Sequence, residues 1–120
     1  MNFLKGSMKR IYNFEVADKI RELLMDEDKV LEKEMFNGLC FMMNDKMLIC
    51  VSDHDLLCRI GEASAERELE KGSCRQMIMR GRASKDFVYV ALDDVVRIKD
   101  LEYWVGLCRA FNPLAKSSKK

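Results

Sequence analysis

In "EVADKIRELLM", residues 15–25, apolar side chains recur at Val16, Ile20, Leu23 and Leu24, with Asp18, Arg21 and Glu22 between them. Spacing of i, i+4, i+7, i+8 lays one apolar stripe along a helix and leaves the charges on its other face. Asn13 stands just upstream and suits an N-cap, because its side-chain oxygen can accept from a free first-turn amide. The charged run that follows, "DEDKVLEKE", reads as a solvated helix end and loop.

From Gly38 the texture changes. "GLCFMM", "KMLICV" and "DLLCRI" are short apolar runs separated by Asn44-Asp45 and by Ser52-Asp53-His54, residues that bond their own backbone and tolerate left-handed turns. They predict three antiparallel strands in a meander. Gly61 breaks the third, and "EASAERELEK" follows as a short helix closed by Gly72 at its C-terminal end. "RQMIM" and "DFVYVAL" are two further strands joined by "RGRASK"; the unbroken apolar run "FVYVAL" suggests a central strand with both faces at least partly covered. In "KDLEYWVGLCRAF", Leu101, Trp104, Val105 and Cys108 fall on one helical face, Asp100 or the preceding turn starts the helix, and Asn112-Pro113 ends it. The expected fold is α+β and two-layered, an antiparallel sheet of about five strands with flanking helices, in the order α-β-β-β-α-β-β-α. No internal repeat or long linker divides the chain. Residues 13–113 read as a single domain, 1–12 as a disordered or cloning-derived start (Gly6-Ser7-Met8 suggests the latter), and 114–120 as a basic flexible tail.

Composition narrows the class. With 48% hydrophobic and 34% charged residues the chain can build a core, which a disordered sequence cannot. Twenty-one basic residues against twenty acidic ones leave +1, without the positive excess usual in a nucleic-acid binder, although a local patch is not excluded. Five cysteines, an odd number without a C-x-x-C pair, fall mostly inside apolar runs and read as small hydrophobes in a reducing cytoplasm rather than a secreted disulfide framework. No run approaches a membrane span, and the start lacks the apolar core of a signal peptide.

Candidate chemistry is sparse. "MFNG", Met35, Phe36, Asn37 and Gly38, has one glycine leading into a strand, whereas a phosphate loop needs several glycines before a helix. It reads as a strand-entry turn with a partner-contacting edge as the alternative. Cys40, Met42, Met43 and Met47 would suit a soft metal chemically, but on a strand Cys40 and Met42 share one face and Met43 takes the other, so core packing is the expectation and no metal or cofactor is assigned. Nine methionines is a high count, and some can line an apolar groove for a partner. His54 is the single histidine, and "SDHD" is a turn, since a catalytic triad converges from separate parts of the chain. The pairs Asp93-Asp94 and Asp53/Asp55 read as solvated turns. No catalytic residue is assigned. Arg75, Arg80, Arg82 and Lys85 cluster at one hairpin with Phe87 and Tyr89 following; guanidinium forks suit phosphate or carboxylate, while Asp86, Asp93 and Asp94 dilute the field.

"MFNGLCFMMNDKMLICV", "LLCRIG" and "MIMRGRASKDFVYV", with the late Trp in "LEYWV", together resemble the N-terminal domain of the TfoX/Sxy family over residues 14–112. Order and spacing carry the resemblance, and Asn37 stands where the family usually has its first glycine; Asn is the next-best residue at positive φ. The resemblance implies a two-layer α+β fold and a link to bacterial competence genes, whose regulators carry a second, helical domain. It implies no catalytic residues. The leading expectation is therefore a non-enzymatic regulatory or protein-interaction domain with an unidentified protein partner, not membrane-bound, with a homodimer through a sheet edge left open. Direct nucleic-acid binding through the arginine hairpin and basic tail is the alternative, and a small-molecule-binding domain or enzyme the second.

Overall fold

Three helices and six strands form within residues 12–35 and 37–116, the part described by this computed structural model. They are α1 (Phe14–Leu23), β1 (Val30–Met35), β2 (Gly38–Met43), β3 (Lys46–Val51), β4 (Asp55–Arg59), α2 (Glu62–Lys71), β5 (Arg75–Met79), β6 (Arg82–Ala91) and α3 (Ile98–Phe111). The expectations placed on residues 1–11, on Phe36 and on 117–120 lie outside the described residues. The fold is α+β, and the expected order of elements holds with one addition: the strand β1 is built from the second half of the run expected to be a helix end and loop, together with Met35. At the sheet edge its Leu31, Glu32, Lys33 and Glu34 are all exposed, so no alternation marks it.

Local chemistry explains where the elements begin and end. The Asn13 side chain accepts from the Val16 amide at 2.9 Å and caps α1. Gly72 closes α2 with φ +76, where an L-residue would be strained. Arg97, not Asp100, is the N-cap of α3, and Asn112–Leu114 continue past its end as a 3-10 turn. The fifth strand pair is tighter than expected: "RASK" belongs to β6, leaving only Arg80-Gly81 as the connection.

The strands lie in the order β1-β2-β3-β4-β6-β5, and each neighbouring pair is antiparallel. All three helices bury their stripes against one face. Ile20 and Leu24, then Ala65, then Leu101, Trp104, Val105 and Cys108 pack on Leu39, Phe41, Ile49, Leu56, Val88 and Val90. Fully burying side chains of this size contributes about 1.5–3 kcal/mol each, so this face dominates the stability. Alternation sends Cys40, Met42, Met47, Cys50, Leu57 and Met77 to the opposite face, where they form a second buried cluster to which no described helix contributes. The cysteines pack in apolar surroundings as expected, but not all as free thiols. Cys40 and Cys50, opposite one another on β2 and β3, are joined as a disulfide, while Cys58, Cys74 and Cys108 are free.

Candidate functional site

Met79 and Arg82 are partners across the β5–β6 hairpin, which leaves two residues to turn the chain. Arg80 and Gly81 do so with φ of +54 and +78. Positive φ at both central positions matches the right-handed twist of the flanking strands, and Asn-Gly is the usual pair there. An arginine in the left-handed region costs about 1–2 kcal/mol. The strain falls on an exposed charge at the tip of the hairpin.

The four basic residues of this hairpin divide in two. Arg80, Arg82 and Lys85 are exposed and form no ion pair among the described residues. Arg75, at the other end of β5, donates to the Asp55 carboxylate at 3.2 Å and stacks 5.4 Å from the centre of the Tyr89 ring. Its hydrogen bond to Asp55 raises its pKa above the ordinary arginine value. Arg75 is thus a structural clamp between β5 and β4, and the solvent-facing charge gathers at the tip.

An open depression of about 460 Å³ lies at the tip, lined by Met79, Arg80, Arg82, Ala83, Ser84 and Phe87. Ile78 and Met79 expose 58% and 46% of their surface beside it, so cations border an apolar patch. Below, the Arg59 guanidinium sits 5.4 Å from the centre of the Phe87 ring and 3.7 Å from the Asp86 carboxylate. The Arg59 Nε is buried without a hydrogen-bond partner among the described residues. Arg59 was not among the expected contact residues, although in "DLLCR" alternation puts Asp55, Leu57 and Arg59 on one face.

"MFNG" lies elsewhere. Met35 pairs with Gly38 at the turn between β1 and β2, and β1 and β5 are opposite edges of the sheet. Asn37 does take positive φ, +58, so the turn survives the exchange of glycine for asparagine. Gly38 answers to packing: a Cβ there would lie 2.3 Å from the Val51 carbonyl oxygen. Met35 is half-buried and Asn37 exposed. These residues and the arginines do not converge on one site.

A second polar constellation gave no sequence signal. Glu68 of α2 is 1% exposed and accepts from the Tyr103 hydroxyl of α3, from Ser73 Oγ at 3.0 Å and from Lys71 Nζ at 3.2 Å. Burial pushes this carboxyl up, but the hydrogen bonds from Tyr103, Ser73 and Lys71 outweigh it and hold the pKa below the ordinary value. With every partner supplied from within the fold, Glu68 acts as a tie between α2 and α3. His54 is exposed in the β3–β4 turn, where Ser52 and Asp55 bond one another as a turn requires. Among the described residues no three His, Cys, Asp or Glu side chains gather where they could hold a metal ion, and no helix is long and apolar enough to cross a membrane.

Set against known proteins, the sequence model of the TfoX N-terminal domain matches residues 22–111. No curated protein and no solved structure matches the chain.

Proposed function

The chain belongs to the TfoX N-terminal domain family, and from that premise we propose that it is a regulatory domain that acts by binding a protein partner rather than by catalysis. The family match over residues 22–111 is the observation that carries this reading. The regulated process is the control of bacterial competence genes, the link implied by the TfoX/Sxy resemblance. The working surface is the β5–β6 tip. Ile78 and Met79 supply apolar contact, and Arg80 and Arg82 rim it with donors that fit carboxylates, while Lys85 is exposed further along β6. The preferred partner surface is therefore apolar at its centre and acidic at its margin.

Affinity capture from a lysate of the source cells tests this, run in parallel with wild type and an Arg80→Ala/Arg82→Ala variant. A partner recovered by wild type and lost by the variant is the expected result. Equal recovery by both, or none under conditions where a known complex survives, overturns the reading. Nucleic acid is a second reading, favoured by unpaired arginines beside the Phe87 ring, on which a base could stack. Anisotropy of a labelled duplex at two salt concentrations separates the two. Phosphate binding weakens steeply with salt and shows a shallower slope in the double variant, whereas a protein-only surface leaves the duplex free.

A further inference from the structure

The face of the sheet away from the helices gathers sulfur. Across the sheet, one ladder row runs Lys33, Cys40, Cys50, Leu57, Tyr89, Arg75, each residue opposite the next. Cross-strand partners project to the same side, so the two cysteines stand together with a lysine beyond Cys40. The neighbouring row sets Met42 opposite Met47. Met35 from one edge strand and Met77 from the other pack into the same cluster. Two cysteines and four methionines thus share one buried region supplied by four strands. Strand alternation separates Met42 from Met43, and Met43 packs in the helix-side core. What strand periodicity within one hairpin could not show is that Cys50 and Met77 would join Cys40.

We propose that Cys40 and Cys50, as a reduced dithiol, bind one copper(I) ion with the thioethers of Met42 and Met47, one row along on the same two strands, completing its surroundings. Donor chemistry selects the ion. Thiolate and thioether are soft ligands that favour copper(I) over the hard cations calcium and magnesium, and the nearby Asp55 carboxylate is engaged by Arg75. Reach is adequate. Metal–thiolate bonds of about 2.3 Å let two sulfurs bridged by one ion lie up to roughly twice that apart, and the two Cα atoms are 4.0 Å apart. Access runs through a cavity of about 50 Å³ whose lining includes Cys50, Gly38, Ser52, Asp55, Met77 and Tyr89. The disulfide present in the structure is the alternative state of the same pair. A thiol reductant supplies two electrons and two protons to open it, and binding of the ion releases those two protons to solvent. Two thiolates and one monovalent cation leave a single negative charge, which Lys33 in the same row can offset.

The test titrates the reduced full chain, without oxygen, with copper(I) delivered as its bathocuproine complex. Wild type is expected to draw one equivalent from the chelator. A Cys40→Ser/Cys50→Ser variant should lose roughly 100-fold or more in affinity, and Cys74→Ser should stay close to wild type. X-ray absorption of the loaded protein should show sulfur alone around copper. Equal uptake by wild type and the double variant, loss of uptake in Cys74→Ser, or nitrogen and oxygen neighbours at the metal overturns the proposal. Should the double variant not fold, wild type with its disulfide intact serves in its place. It should take up no copper in the presence of a reductant that spares disulfides, and uptake there also overturns the site.

Discussion

Replacing Glu68 by Gln removes one charge from a carboxylate that is 1% exposed while keeping its shape. Two hydroxyl donors meet it, Tyr103 from α3 and Ser73 just beyond α2. Hydrogen bonds to a charged group contribute about 1.5–3 kcal/mol each and neutral ones about 0.5–1.5. Turning two such bonds neutral therefore costs about 2 kcal/mol at pH 7, with exposed Lys71 left out of the sum. For a chain of this length that corresponds to a fall in Tm of roughly 6–10 °C. The loss is pH-dependent. The folded-state pKa lies below the ordinary glutamate value of 4.5. The charged form therefore stabilises the fold fully above that value, and its contribution fades as pH falls through the lower folded value. Urea unfolding of wild type and Glu68→Gln at pH 7 and again near pH 3 measures both effects. The gap should be wide at neutral pH and narrow in acid. A Tyr103→Phe cycle adds a check, since the two changes should couple by about 1 kcal/mol. A gap below about 0.5 kcal/mol at pH 7, or one of equal size at both pH values, would refute the account of Glu68 as a charged tie between α2 and α3.

Three further changes test other parts of the fold. Gly38→Ala should destabilise by about 2–4 kcal/mol in urea unfolding, because its Cβ would meet backbone on β3, 2.3 Å from the Val51 carbonyl oxygen, and strands cannot part as a flexible side chain can. Asn112→Ala should cost about 2–3 kcal/mol, since Asn112 donates to the Met43 carbonyl at 3.1 Å and accepts from Asn44 at 2.9 Å, and its loss leaves a buried carbonyl unpaired. Arg80→Asn should raise stability by about 0.5 kcal/mol by relieving the left-handed arginine at φ +54, while weakening whatever anionic surface the hairpin binds. A variant that loses stability here would refute the strain attributed to Arg80.

Much of this molecule follows from neighbours in sequence. The stripes of α1 and α3, the Asn13 cap, the Gly72 terminus and the meander of β2, β3 and β4 obey periods of 3.6 and 2, and each is legible within about a dozen residues. The arginine cluster was visible in the same way, as charges on either side of one turn. Three features were beyond such reading. As an edge strand, β1 is exposed along most of its length, so pairing with β2 makes it a strand rather than any apolar pattern of its own. The insertion of β6 between β4 and β5 sends "MFNG" and the arginine tip to opposite edges. The same long-range pairing decides that Arg75 is held by Asp55 while Arg80 and Arg82 face solvent, that Glu68 meets Tyr103, and that Cys50 and Met77 join Cys40. A residue's period says which face it takes, but its partner there is chosen by register and strand order, which depend on contacts between segments far apart in the chain.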